Sequence, residues 1–331
     1  MRVLVTGGNG FIGSALAARL SAEGHRVRCL VHRGRELLDR LEVETVPGSV
    51  AEPKSLAAAL DDVELVYHLA GSGRAGDWGR RRWFFEVNAR GTRNVLDAAA
   101  KAGVRRFVHM SSLAVHRFTG HVDADEDVSA DQDKYAYGAS KAEAERHVQA
   151  AGADGRMETV IIRPGVVVFG PEDMTAFVYM APLLEKGRWT HVKRGRPLLC
   201  YCFVDNLVDG LLLAGKDPAA AGETFIITDD LKISWKDFAT RVIAAFGARE
   251  KTFSFPVPIA RAAGIVLESV FKLFRSKSPP PITDYRTALV SRDFHFSCDK
   301  AKQILGYKPA IGFEEGLSRT VEWYRRWRET R

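Results

Sequence analysis

The stretch Arg2-Val3-Leu4-Val5-Thr6-Gly7-Gly8-Asn9-Gly10-Phe11-Ile12-Gly13 decides the fold. A short apolar strand runs directly into a glycine cluster and then into a helical pattern. The glycines fit two overlapping spacings, Gly7-x-x-Gly10-x-x-Gly13 and Gly8-x-Gly10-x-x-Gly13. Such a turn lets the chain reverse tightly, lets its backbone approach a pyrophosphate, and packs the helix close to the strand. Free N–H groups at the helix start then meet the phosphate charge. A plain strand-to-helix turn is the bland alternative, and a glycine triplet alone would not exclude it. Its place at the head of an alternating strand–helix pattern does.

The alternation extends over the first ~165 residues, the length of one domain. Strands are expected at 2–6, 27–31, 43–46, 65–69, 107–111 and 159–162, and helices at 12–23, 54–60, 88–102 and 138–150. Continuously apolar, β-branched strands between helices signal a parallel sheet covered on both faces. The expected fold is a doubly wound α/β sheet. Residues 1–165 would form a dinucleotide-binding domain, and 166–331 a smaller mixed α/β substrate region partly interleaved with it. Isolated strands are expected there at 199–204 and 224–228.

Composition narrows the function classes. The chain has 331 residues, 46% hydrophobic and 27% charged, which is ordinary for a globular protein and excludes disorder. Forty-eight Lys and Arg against 41 Asp and Glu give a net charge of +7. That raises nucleic acid, a membrane surface or an anionic ligand as partners. No helix-turn-helix, zinc knuckle or basic-aromatic platform supports nucleic acid. No signal peptide or membrane span is expected, and no metal constellation appears. Cys29, Cys200, Cys202 and Cys298 lack a C-x-x-C spacing. Cys200 and Cys202 would share one face of a strand, as packing thiols rather than a redox pair. The expected compartment is reducing cytosol.

Tyr137-Gly138-Ala139-Ser140-Lys141 places a phenol and an ammonium on one helical face. A phenol ordinarily titrates near 10, and a nearby cation favours phenolate. Tyr137 could then exchange a proton with a substrate oxygen. Ser111 and Ser112 end an apolar strand, where a hydroxyl could stabilise charge developing on that oxygen. The end of the second strand reads Val31-His32-Arg33-Gly34-Arg35, without the carboxylate that would bond a ribose 2′-hydroxyl. His32 with Arg33 and Arg35 therefore favours NADP(H) over NAD(H), unless the two arginines are simply solvated loop charges.

These motifs carry a resemblance over nearly the whole chain. TGGNGFIG, VYHLAG (66–71), VNARGTRNVL (87–96), MSSLAV, YGASK, IIRPG, FVDN and LGYKP resemble the ordered motifs of the extended short-chain dehydrogenases/reductases, the NAD-dependent epimerase/dehydratase superfamily. The resemblance implies a Rossmann-type fold and a catalytic set of Ser112, Tyr137 and Lys141. Lys141 would also hold the nicotinamide ribose. It implies cofactor contacts from Gly7, Gly10, Phe11, Ile12, Gly13, His32, Arg33, Ser49, Val50, Leu69, Ala70, Gly71, Asn88, Ser111, Tyr137, Lys141 and Pro164. It also implies a homodimer built from the helices at 88–102 and 138–150. Ser49 stands where the family usually has an aspartate near the adenine. His116 replaces a frequent tyrosine.

The Gly-Asp-Trp-Gly piece at 76–79 and the C-terminal region resemble the 3β-hydroxysteroid dehydrogenase-like branch. That implies a hydrophobic, sterol-like secondary alcohol or ketone as substrate, with decarboxylation where a carboxylate lies β to the new ketone. A long-chain β-keto acid reductase and a nucleotide-sugar epimerase or dehydratase are the alternatives. GRWTHVKRGRP (187–197) reads as a solvated hairpin, with basic residues that could otherwise hold a diphosphate. The segment 258–275 is amphipathic, with Arg261, Glu268, Lys272 and Arg275 on one face and Ile259, Ala263, Val266, Val270, Leu273 and Phe274 on the other. It would pack on its own core, form a lid over an apolar substrate, or lie peripherally on a membrane.

Overall fold

Strands β1 (Arg2–Thr6), β2 (Arg26–Val31), β3 (Glu44–Pro47), β4 (Leu65–His68), β5 (Arg106–Met110), β6 (Glu158–Pro164) and β7 (Thr224–Ile227) form one sheet in the order β7-β6-β5-β4-β1-β2-β3. Every pairing is parallel. The structure is a computed structural model and describes residues 1–73, 77–276 and 278–330. The chain runs outward from β1 to β3 and then returns to β4 on the other side of β1. A crevice opens beyond the carboxyl ends of β1 and β4, where such sheets bind ligands.

The buried alternation along β1 shows why this sheet is covered twice. Val3 and Val5 pack with Leu16 and Leu20 of α1 (Phe11–Ala22) and with Leu207 and Leu211 of α4 (Val204–Lys216). Leu4, Val66 and Phe107 pack on the opposite side with Val95 and Leu96 of α2 (Gly91–Lys101) and Val148 of α3 (Ala136–Ala153). The expected helix at 54–60 is a 3-10 turn (Pro53–Ser55) followed by a single turn, Ala57–Leu60. The buried Arg28 guanidinium donates to the carbonyls of Ala58, Ala59 and Asp61 and ends it there. Arg106 does the same for α4, donating to Ala214 and Asp217 while pairing with Glu158 at 2.7 Å.

The second half has its own aromatic core. Tyr201 stacks on Phe238 at 4.8 Å between ring centres, and Phe169, Phe203 and Phe313 of α6 (Phe313–Glu329) close around them. Cys200 and Cys202 belong to different apolar clusters. Cys200 precedes the strand Tyr201–Phe203 and packs in this aromatic core, whereas Cys202 packs against the main sheet. All four cysteines are buried and free. The segment 187–197 is no hairpin, because Arg188–Val192 pairs in parallel with Lys251–Phe255. The amphipathic segment forms α5 (Val257–Leu273). Among the described residues, no helix is long and apolar enough to cross a membrane.

Gly13 fixes the approach of α1 to β1, because a Cβ there would overlap the Gly7 carbonyl oxygen. Gly13→Ala is expected to cost about 1–3 kcal/mol of stability, read as a lowered urea midpoint with an unchanged slope.

Candidate active site

The glycine turn forms a cradle of bare backbone. Gly7 adopts φ 74°, and a Cβ there would lie 2.8 Å from the Ala70 nitrogen. Gly8 sits on the buried Cys29 thiol, which burial pushes up to about 12. Helix α1 begins after Gly10 with no side-chain cap and no acidic residue in its first turn. Its first N–H groups are thus left for an anion. Phe11 is buried toward the aromatic core rather than toward this cradle.

Across the crevice the ends of β4 and β5 complete the floor. A Cβ on Gly71 would come within 3.1 Å of the Lys141 ammonium and 3.3 Å of Asn88 Oδ1, so only a glycine leaves that space open. Leu69 and Ala70 line the same strand end, and Pro164 closes β6. Val50 packs under Gly91, and its carbonyl accepts from Asn94. Ser49 turns its hydroxyl into its own loop, accepting from Ala51 N. These bare backbones and open floors fit a dinucleotide cofactor.

The ribose end of the cradle departs from the sequence expectation. His32 and Arg33 are exposed at the end of β2. A carboxylate is present there after all. Gly34, at φ 62°, folds the chain so that Glu36 accepts from Asn9 Nδ2 at 3.3 Å. The local backbone N–H groups, and after them the Asn9 bond, hold the Glu36 carboxyl below its ordinary range. The carboxylate was not legible because the turn, not the strand, delivers it.

A buried chain of hydrogen bonds joins the glycine turn to the catalytic helix. Thr92 Oγ1 donates to the Asn88 carbonyl at 2.6 Å, so it accepts from His68 Nε2 at 2.9 Å. His68 Nδ1 then accepts from Thr6 Oγ1 at 2.8 Å, and Thr6 accepts from Ala70 N at 3.1 Å. Asn88 lies in a π-helical turn, Phe85–Arg90, where the sequence pattern suggested plain α-helix. That turn aims its side chain at Ser72 N (2.7 Å), Ser72 O (3.1 Å) and Ser140 Oγ (2.9 Å). Ser140 in turn donates to the Tyr137 carbonyl at 2.7 Å.

The predicted catalytic residues converge here. Ser112 accepts from Ala114 N at 3.1 Å and lies beside the Tyr137 phenol. Burial pushes the phenol up, and the Ser112 hydroxyl opposes this. Lys141 is buried and pushed down to about 8, with Glu145 opposing. Its ammonium donates to the Met110 carbonyl at 2.8 Å rather than to the phenol, so here it faces the floor beneath Gly71. Ser111 is buried behind Ser112, and its hydroxyl has no partner among the described residues. His116 is not in the site. It is buried, bonded to the Ser129 carbonyl and stacked on Phe296 at 4.8 Å.

The comparisons bear on this geometry. The model of the NAD dependent epimerase/dehydratase family matches residues 3–228. The chain belongs to that family. A "2-alkyl-3-oxoalkanoate reductase" of Stenotrophomonas maltophilia is 30% identical, covering 96% of this chain and 98% of that protein. A "3 beta-hydroxysteroid dehydrogenase/Delta 5-->4-isomerase" of Mycobacterium tuberculosis is 32% identical over 98% of this chain and 90% of its own. The solved structure of gox2253 superposes with a TM-score of 0.79 at 28% identity, covering 98% of each chain.

As a family member the protein is an NAD(P)-dependent enzyme of the short-chain dehydrogenase/reductase type. Sequence reasoning missed one contact at its centre. Asp77 accepts from Tyr137 N at 2.8 Å and from Ala136, capping α3 from a distant loop. Its neighbours Arg74–Gly76, part of the quoted Gly-Asp-Trp-Gly loop, lie outside the described residues. A cap sixty residues away leaves no local signal.

Asp77→Ala is expected to cost about 1 kcal/mol of stability and to lower kcat more than KM, read by urea denaturation and steady-state kinetics. Burial also lowers the pKa of His68 and His116 to about 3, and that of His109 well below its ordinary value. The unfolded chain therefore binds protons that the folded chain refuses. Stability is expected to be full above pH ~6.5 and to fall as pH drops below it, measured by denaturation from pH 7 to 5.

Proposed function

We propose that this enzyme interconverts a secondary alcohol and a ketone on a hydrophobic molecule of sterol-like bulk. The observation that carries the reading is the convergence of Ser112, a half-buried Tyr137 and the buried Lys141 at the crevice. When bound, a nicotinamide cofactor supplies or accepts the hydride at the substrate carbon. In reduction Tyr137 donates its proton to the oxygen, and in oxidation it receives it. Ser112 holds the same oxygen and stabilises its partial charge. Lys141 would hold the ribose hydroxyls, and its charge favours the phenolate that is left when Tyr137 gives up its proton. Where the substrate carries a carboxylate β to the new ketone, carbon dioxide can leave without another residue.

Aromatic neighbours support an apolar substrate. Phe84 meets the Tyr137 ring edge-on at 6.4 Å, and the buried Tyr285 meets Tyr135 edge-on at 5.2 Å. The steroid dehydrogenase relative acts, by its name, on such a molecule. The oxoalkanoate reductase relative favours a second reading, a long-chain 3-oxo acid, which would take hydride from the cofactor and its proton from Tyr137.

For the cofactor we propose NADP(H). Arg33 makes no ion pair among the described residues and is available to a 2′-phosphate. Glu36 opposes it. Arg33→Ala should lower the NADPH-over-NADH ratio of kcat/KM by about tenfold, and Glu36→Gln should raise it. A wild-type preference for NADH would overturn this reading.

Turnover of 3-hydroxysterols, 3-oxo acids and UDP-sugars with both cofactors tests the substrate class. Activity on sterols or 3-oxo acids, lost about 10²–10⁴-fold in Tyr137→Phe, is expected. Activity confined to UDP-sugars would contradict the proposal.

A further inference from the structure

Helix α5 buries only a narrow inner row and leaves most of its apolar sector uncovered. Its inner side is a row of small and apolar residues, with Leu267 and Phe271 half-buried, and its charged residues bond to neighbours along the edge. Arg261 pairs with Asp284 at 2.8 Å, Glu268 accepts from Asp284 N at 2.8 Å, and Lys272 lies 5.6 Å from the Trp78 ring centre. A narrow row, Ala260 and Gly264, is buried, and a Cβ on Gly264 would approach the Thr283 backbone at 3.0 Å. The apolar sector points outward. Ile259, Val266, Leu273 and Phe274 are 57%, 61%, 79% and 78% exposed. A lid would turn this sector inward, and so would packing on its own core.

The strand that feeds α5 continues the surface. Lys251, Phe253 and Phe255 alternate to one side of Lys251–Phe255, with Phe253 71% exposed. Basic groups border both parts. Lys251 is in register with Arg188. Arg194 N donates to Ser254, two residues before Pro256, where the strand meets the helix. Lys272 and Arg275 close the far end. The nearby carboxylates are engaged, Glu268 as above and Glu250 by Thr240 and Thr252.

From this arrangement we propose that the outward face of α5, with Phe253 and Phe255, docks on an anionic phospholipid surface. Projecting aliphatic and aromatic side chains enter the headgroup boundary while the basic border meets lipid phosphates. A second copy of this chain fits less well, because a two-fold interface would set one basic border against another. The proposal does not depend on the substrate or on the cofactor.

Flotation of the full chain with vesicles tests it. Binding to phosphatidylcholine vesicles containing phosphatidylglycerol should exceed binding to phosphatidylcholine alone by at least ~10-fold and should fall at raised salt. Leu273→Glu with Phe274→Glu should weaken it by about tenfold or more, at unchanged Tm. Arg194→Glu with Arg275→Glu probes the same contact without touching the apolar sector, and should also weaken it. Failure of the wild type to float with anionic vesicles would overturn the proposal, as would flotation of both variants undiminished from the wild type. So would conversion of a dimer to a monomer by the apolar variant without lipid, which would assign the face to self-association.

Discussion

Everything at the crevice hangs on the buried hydrogen-bond chain through Thr6, His68, Thr92 and Asn88. It starts at the last residue of β1, where the glycine turn begins. It passes through the end of β4 and the π-helical turn, and reaches the Tyr137 carbonyl by way of Ser140. Each hydroxyl in it both donates and accepts, so the chain has one direction and His68 one tautomer. Burial keeps that imidazole neutral, which the direction requires. A protonated His68 would offer a second donor to Thr6, whose own proton would then lack its acceptor.

This frame explains how an unfavourable arrangement persists. Burial works against both reactive groups, raising the phenol of Tyr137 and lowering the ammonium of Lys141. Left to itself, each would move toward water. The Met110 carbonyl and Glu145 hold Lys141, while Ser112 and the Asp77 cap hold Tyr137. The stability lost by desolvating these groups is offset in the two cores that flank the sheet, where no such demands exist. Glu145 is itself fixed by a buried, two-pronged pairing with Arg163.

The parts of this account legible in the sequence are those encoded by short spacings. The glycine turn, Tyr137 with Lys141, and the strands of the first half are local patterns, and the sheet follows from their alternation. What was illegible depends on which elements meet. Asp77 acts sixty residues from the helix it caps. Glu36 reaches the glycine turn only because Gly34 reverses the chain. His68 and Thr92 read as packing residues until β4 and α2 are placed side by side. In α5 the periodicity identified the apolar sector correctly, but periodicity cannot say which sector a neighbour covers. Here the neighbour covers the small residues Ala260 and Gly264, with Arg261 and Glu268 tied to Asp284 beside them.

The most direct test of the frame is a nitrogen-15 NMR titration of the His68 ring, assigned with a His68→Gln variant. The account predicts a neutral imidazole protonated at Nε2 throughout pH 5 to 8 (about the range over which a free histidine changes charge). A His68 signal that titrates near its ordinary value, or one protonated at Nδ1, would contradict it.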